Sequence, residues 1–404
     1  MSPETNTFTM TSANPQAHFE PISRMISDEF AGGGYLDEIS KKYIGGSHYD
    51  FDTTRLFWDR NQLIHHWGVW GYPMRVGSAQ LKSAGVGAVV TREAYRKQGL
   101  MASAANASFM AMYDNGYDLS ILRGRHYHKF GYRRAWNYVT KKLNPAAIPP
   151  EEIPHFELKR PYRALGPADM ESINLLYNRE YARFSGSCVR PTYPMLQDGE
   201  MKAYGWFDDR GHLAGYVRAV PTEDKTALQC LEAAGDPEQG LAVLKSLFAQ
   251  EKYEQLHFFT MPEQHPMLQI VRRGACTVEN RYFYHTGWQV RLVNLTSSLQ
   301  KLLPQMEERL AASHLAGWQG SLYLDAGKQT AALKIAKGHI QLSQELPGEH
   351  RVHAGWAIAR LLIGSDQASE IIQQEGITFS GQAVALVDAL FPNLSPMMSH
   401  WDEF

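Results

Sequence analysis

Residues 86–101 read Val-Gly-Ala-Val-Val-Thr-Arg-Glu-Ala-Tyr-Arg-Lys-Gln-Gly-Leu-Met, and this stretch restricts the fold more than any other. A β-branched apolar run stops at charged residues, passes a basic turn containing Gly99, and enters helix formers at Leu100. A helix N-terminus presents unpaired N–H groups and a partial positive charge. With Arg96 and Lys97 beside it and a glycine that lets the backbone come close, this arrangement suits a pyrophosphate. An ordinary strand-to-helix connection with a solvated basic turn is the alternative these residues alone leave open.

The chain beyond narrows the choice. Residues 102–113 continue as a helix that stops at Asn115-Gly116, and residues 118–122 form a short strand. Gly-Arg-His-Tyr-His-Lys-Phe-Gly-Tyr follows at 124–132. Together these elements resemble motifs A and B of the GNAT acyl-CoA N-acyltransferases, the last segment matching the family's Tyr-x-x-Phe-Gly-Tyr/Phe run. The resemblance implies acetyl-CoA as co-substrate, held by Val89, Val90, Thr91, Arg96, Lys97, Gln98, Gly99 and Leu100. Met101 stands where the family usually has a small residue, and Arg92 where a proline is common. Neither change removes the N–H donors.

At 404 residues the chain is long for one core, so two or three domains are expected. Its 44% hydrophobic and 20% charged residues describe a soluble globular protein. A formal net charge of -2 gives no general pull toward nucleic acid or anionic membrane, so neither is expected as a partner. Cys188, Cys230 and Cys276 are widely spaced and read as reduced, mostly buried thiols. His126 and His128 lack a third ligand, and His65 and His66 on one strand point to opposite faces, so no metal is expected. The N-terminus has neither a basic n-region nor an apolar h-region, and no apolar run approaches membrane-spanning length; a cytoplasmic protein is expected.

Three segments follow one another. Residues 1–18, rich in Ser, Thr, Asn and Pro, read as a disordered tail. The first segment, 19–150, opens with an amphipathic helix at 19–30, broken by Gly32-Gly33-Gly34, and a helical stretch at 35–43. Strands at 55–58, 63–70 and 80–91 precede the motif, and a proline-rich linker at 144–150 closes the segment. The second, 151–287, repeats that order with a helix at 168–184, a hairpin at 201–220, a strand at 227–233 and a helix at 238–251. Its equivalent turn carries Asp236 and Glu238, which would repel a pyrophosphate, so it reads as a GNAT-like unit without a cofactor site; an unrelated α/β domain is the alternative. The third, 288–404, has a helix at 299–310, strands at 317–324, 330–335 and 339–344, then helices at 354–362, 366–375 and 381–390. This order, with the Leu390-Phe391-Pro392 ending, resembles a sterol carrier protein-like domain. The expected class is mixed α/β: tandem GNAT-like domains followed by that domain.

This succession resembles the enhanced intracellular survival (Eis) acetyltransferases over nearly the whole chain. The resemblance implies acetylation of primary amines, aminoglycosides among them, and assembly as a hexamer. Amine acetylation needs the thioester carbonyl polarised, the ammonium deprotonated and the leaving thiolate protonated. Tyr127, whose phenol is protonated at neutral pH, is the candidate acid, with a packing role beside Phe130 and Tyr132 as the alternative. The resemblance assigns the base to the terminal carboxylate of Phe404; a frayed tail is the alternative, and the Trp401-x-x-Phe404 pattern argues for docking. Asp28, Glu29, Asp402 and Glu403 are candidate anionic walls for an amine, or simply solvated. The amine itself, whether aminoglycoside, polyamine or lysine-like, stays open. A hydrophobic-ligand carrier and a catalytically silent acyl-CoA scaffold are the competing readings.

Overall fold

The computed structural model describes residues 8–143, 157–192, 202–251, 253–274, 276–283, 286–343 and 348–403. The linker expected at 144–150 lies outside these residues. The chain opens with β1 (Thr9–Ser12), helix α1 (Phe19–Phe30) and a short helix α2 (Leu36–Glu38) that widens into a π-helix at Ile39–Ile44. Strands β2 (Arg55–Asp59), β3 (Gln62–Val76) and β4 (Ala79–Thr91) form a meander, followed by α3 (Leu100–Asp114), β5 (Leu119–Arg123) and the two-residue β6 (Arg133–Arg134). β1 pairs antiparallel with β2, so residues 9–12, expected within a disordered tail, form an edge strand whose ladder bonds composition does not reveal.

The chain then crosses into a second sheet with β7 (Tyr138–Leu143) and β8 (Tyr162–Ala164), continues through α4 (Met170–Glu180), and completes that sheet with β9 (Ala203–Phe207), β10 (Leu213–Pro221), β11 (Ala227–Ala234), β12 (Gln255–Phe259) and β13 (Thr277–Arg281). Helices α5 (Pro237–Glu251) and α6 (Pro266–Val271) belong to this part. Next comes β14 (Trp288–Leu292), which inserts between β5 and β6 of the first sheet. The resulting orders are β1-β2-β3-β4-β5-β14-β6 and β13-β7-β12-β11-β10-β9-β8.

The sheets therefore ignore the segment boundaries at 150 and 287. The second sheet takes β7 from the first segment, where it pairs with β12 and β13, and the first sheet takes β14 from the third segment, where it pairs with β5 and β6. The alternation of β14 explains its place, since Trp288, Val290 and Leu292 are buried in the central core. α7 (Leu295–Ala311) leads into a third sheet of β15 (Gly320–Asp325), β16 (Thr330–Ala336), β17 (His339–Ser343), β18 (Arg351–His353) and β19 (Thr378–Ser380), with α8 (Ile358–Ile363), α9 (Ala368–Glu375) and α10 (Ala383–Leu390) against it. One continuous cluster joins this unit to β5, β14 and α7, including Leu119, Val290, Leu302, Leu324, Leu361 and Leu386.

The last described residues lie across the first two sheets. Met397 donates its N–H to Ser185 O at 2.9 Å. Gly186 takes a φ of 83°, and a Cβ there would stand 2.5 Å from the backbone of Met397. Met397, Met398, Trp401 and Asp402 are buried. Asp402 is bound by Arg190 at 3.0 Å and by the hydroxyls of Thr192 and Tyr177 at 2.8 and 3.1 Å. Arg190 also makes a bidentate pair with Glu232 at 2.9 and 2.6 Å. Among the described residues no helix is long and apolar enough to cross a membrane.

Candidate active site at the carboxyl end of β4

β4 and β5 run parallel and pair only over Ser83–Val86 and Leu119–Leu122. β4 then continues to Thr91 while β5 ends at Arg123, so a crevice opens at the carboxyl ends of the strands, where open α/β sheets bind ligands. On its other side β4 pairs with β3, His66 opposite Val90 and Gly68 opposite Gly87. One residue of β3, Trp67, thus faces two of β4, Ala88 and Val89, which is a β-bulge. Ala88 sits at φ 47°, a left-handed conformation costing a residue with a Cβ about 1–2 kcal/mol.

The bulge decides which backbone groups face the crevice. Arg92 donates its N–H to Ile64 O on β3 at 2.9 Å. Successive residues of a strand present their polar groups to opposite edges, so Thr91 and Val89 face the crevice and Val90 faces β3. The side chain of Val90 is buried between α1 and the sheet. Of the three residues expected to touch a cofactor here, Val89 faces the crevice, Thr91 faces it with its carbonyl already held by Arg96, and the Val90 side chain is committed elsewhere.

The basic turn follows directly. Arg96, Lys97 and Gln98 are exposed, with Lys97 at φ 65° and Gly99 at φ 81° as the N-terminal cap of α3. Gly99 offers no side chain to the first N–H groups of α3, which have no carbonyl within the helix to meet. A Cβ at Gly99 would meet nothing within 4 Å, so its backbone conformation is what calls for glycine. Arg96 Nε reaches Thr91 O at 3.1 Å and ties the turn to the strand end. Leu100 is buried in the core under α3 and can contribute only through its backbone. Ala104, Ala105 and Ser108 are also fully buried there, small enough to let the helix lie close on β2 and β3.

Tyr127 is half-buried four residues past β5, its ring 6.0 Å from that of Trp67 and 6.2 Å from that of Tyr132. Trp67 is the β3 residue facing the bulge, so Tyr127 packs on the side chain opposite Ala88 and Val89. Burial raises the Tyr127 phenol above its ordinary value, which keeps it protonated at neutral pH. Its hydroxyl has no hydrogen-bond partner among the described residues. His65 and His66 do turn apart: His65 Nδ1 meets Thr91 Oγ1 at 2.7 Å, and His66 bonds Ala88 O and Tyr49 Oη.

The tail meets this site at the end of β5. Arg123 Nη1 pairs with Glu403 Oε2 at 3.0 Å and reaches Tyr138 Oη at 3.3 Å. Glu403 is therefore neutralised by a cation and is not a free anionic wall. Asp402 is 1% exposed and held by Arg190, which removes it from any substrate surface. Phe404 lies outside the described residues.

Two cavities share Arg123. One, of about 510 Å³, is lined by Ile26, Phe30, Tyr35, Glu38, Lys42 and Ala88 among others. The second, of about 330 Å³, lies between Tyr138, Phe259, Arg281, Phe283, His400 and Glu403. The first runs from the bulge outward past α1 and the π-helix. Asp28 and Glu29 are exposed on α1 and absent from its lining; the carboxylate on that wall is Glu38. The physical reason is helical phase, since Ile26 and Phe30, four apart, share the face turned to the cavity. Trp67 and Trp70 are core residues, and Tyr35 lies on the cavity mouth. Sequence reasoning missed Ala88, Arg123, Glu38 and the partnership of His66 with the bulge; an Arg closing a strand before the Gly-containing loop was the one available signal.

In the second sheet the corresponding strand and helix are β11 and α5. There Asp236 Oδ1 accepts the N–H groups of Glu238 and Gln239 at 2.9 and 3.4 Å, so a carboxylate caps the helix start. Lys159 pairs with Asp236 and Glu238 at 3.2 and 2.8 Å.

Residues 38–135 match the family model described as the acetyltransferase (GNAT) domain. Solved structures share the fold over the whole chain. A GCN5-related N-acetyltransferase from Anabaena variabilis aligns with a TM-score of 0.71 at 16% identity, covering 97% of this chain and 99% of that one. A probable N-acyltransferase from Enterococcus faecalis gives 0.71 at 12% identity, and Eis1 from Mycobacterium abscessus gives 0.68 at 15%, both with coverages of 97% and 99%. No curated protein matches the sequence. The chain carries a GNAT acetyltransferase domain and is an acyltransferase of that type.

Proposed function

We propose that this protein transfers an acetyl group from acetyl-CoA to a primary amine. The observation that carries the reading is the edge of β4 at Val89, beyond the end of its pairing with β5, leading directly into a basic turn and the uncapped start of α3. An acyl-CoA has amides along its arm that match a strand edge and a pyrophosphate that matches a helix N-terminus. When bound, it supplies an acetyl thioester. The exposed Arg96 and Lys97, with the N–H groups from Gly99 onward, hold the phosphates; the Val89 N–H is the donor for the carbonyl.

Tyr127 is the acid that returns a proton to the leaving sulfur, a role supported by its raised affinity for the proton and its unpartnered hydroxyl. The α-carboxylate of Phe404 is the proposed base, and the support is the docking of Met397, Trp401, Asp402 and Glu403 onto the body of the protein. The amine enters by the cavity that ends at Ala88.

The second sheet with α5 is a GNAT-like unit without a cofactor site, a reading supported by the carboxylate that already caps α5. The third sheet and its helices form a sterol carrier protein-like domain. The order of the three units and the likeness of fold support an Eis-like enzyme, acting in the cytoplasm as a hexamer, with aminoglycosides, polyamines or lysine-like amines as substrates. A thermal-shift titration with acetyl-CoA, followed by a thiol-release assay over an amine panel, tests the reading. No shift and no release would overturn it.

A further inference from the structure

His66 is fully buried and used at both ring nitrogens. Nδ1 lies 2.7 Å from Ala88 O, and Nε2 lies 2.7 Å from Tyr49 Oη. A carbonyl oxygen only accepts, so the proton sits on Nδ1, and the bare Nε2 accepts from the Tyr49 hydroxyl. Burial pushes the His66 imidazole down to about 4, which keeps this neutral tautomer at working pH. Tyr49 is itself buried, its ring parallel to that of His66 within 4°.

The accepting carbonyl belongs to the strained residue of the bulge, Ala88 at φ 47°. The trans peptide joining Ala88 to Val89 sets its C=O and N–H antiparallel. A carbonyl drawn toward His66 on β3 therefore sends the Val89 N–H to the opposite edge of β4, where β5 has left a crevice. Without that hydrogen bond the half-buried carbonyl would lose this partner, and the peptide plane could turn to pair it elsewhere.

We infer that His66, fixed as the Nδ1–H tautomer by Tyr49, is a positioning residue that locks the Ala88–Val89 peptide so that the Val89 N–H faces the reacting thioester carbonyl. The inference rests on the acetyltransferase reading. His66 touches no substrate and moves no proton. It sets the direction of one donor, and misdirection of such a donor is felt in turnover more than in cofactor binding.

The test compares His66→Leu, His66→Asn and Tyr49→Phe with the wild type by thiol release and acetyl-CoA thermal shift. The side-chain amide of asparagine places an N–H where Nδ1–H stood, and leucine has none. His66→Leu is expected to lower kcat at least ten-fold with KM for acetyl-CoA within two-fold, and His66→Asn to recover most of that loss. Tyr49→Phe keeps the ring and the fold and is expected to lower kcat about three-fold, because the tautomer loses its second constraint. Full kcat in His66→Leu, or a parallel loss of kcat and acetyl-CoA affinity that asparagine does not restore, would overturn the inference. Should His66→Leu not fold, unchanged kcat in Tyr49→Phe overturns it, and the three-fold loss sustains it. Absence of both thermal shift and thiol release in the wild type would overturn the underlying acetyltransferase reading itself, a result distinct from any difference among variants.

Discussion

Arg123, the last residue of β5, holds Glu403 in an ion pair of 3.0 Å, bringing the end of the described chain to the mouth of both cavities. The Arg123 side chain is 51% exposed, so water screens the pair and its worth in stability is within about 1 kcal/mol. Its consequence is positional. Glu403→Gln is expected to leave Tm nearly unchanged while lowering turnover by about ten-fold, since small misplacements in an active site cost that much or more. Unchanged kinetics in this variant would remove the tail from the mechanism, as would full activity after one residue is appended to Phe404.

Reversing the charge of the basic turn tests the cofactor site. Arg96→Glu places a carboxylate beside the start of α3, where an anionic ligand is proposed to bind. Arg96 is exposed, so the fold should be indifferent. The acetyl-CoA-dependent rise in Tm seen in the wild type should be lost in this variant. A rise of equal size in both proteins would mean the turn does not carry the phosphates.

Tyr127→Phe removes a hydroxyl that has no partner among the described residues, so stability should hold. Acetyl-CoA should bind as before, and kcat should drop by roughly 10²-fold or more, the usual scale for a lost general acid. Retained turnover would reduce Tyr127 to a ring packed on Trp67.

The buried network beneath the tail predicts a folding defect. Arg190 and Asp402 are fully enclosed, and Glu232 with them. Arg190→Met leaves two carboxylates facing each other without their cation, a loss of about 3–5 kcal/mol. Denaturant titration should show it. A loss below 1 kcal/mol would mean that other groups, such as Arg218 stacked 4.4 Å over Trp401, compensate.

Three buried histidines set the response to acid. Burial pushes His65 down to about 3, and His66 and His265 down to about 4. In the unfolded chain each would titrate near 6.5. Folded-state values below the unfolded one mean that the unfolded chain binds more protons, so stability is complete above about 6.5 and falls as pH drops toward 4. Each histidine accounts for about 1.4 kcal/mol per pH unit in that window. Glu232 adds to the trend at lower pH: burial opposes its charge, but Arg190, Ser399 and Tyr216 outweigh this and hold its carboxyl below the usual range. Denaturant midpoints at pH 7.5, 6.5, 5.5 and 4.5 should decline below 6.5; a flat series would contradict these environments.

Local chemistry made part of this molecule legible from its residues. The run from Val86 to Leu100 has a strand's side chains, a left-handed glycine and a helix start within one short window, and each depends only on near neighbours. The second hairpin, β9 to β10, and the helices α3 and α5 were readable for the same reason. What pairs across long distances was not. Nothing near Trp288 says that its strand belongs between β5 and β6, because its ladder partners, Leu119–Arg123 and Arg133–Arg134, lie far earlier in the chain. Asp28 and Glu29 lie where an acidic wall was expected, yet helix phase turns them to solvent and leaves Glu38 at the cavity.

By itself, then, the sequence determined a mixed α/β chain with a basic, glycine-containing turn at the start of α3, since backbone propensity and charge are properties of adjacent residues. Only the tertiary structure decided that β7 and β14 change sheets, that Arg190 gathers Glu232 and Asp402, that Arg123 meets Glu403, and that His66 grips the carbonyl of Ala88. Those contacts join residues far apart in the chain, and their energies exist only once burial has removed the water that would otherwise satisfy each group.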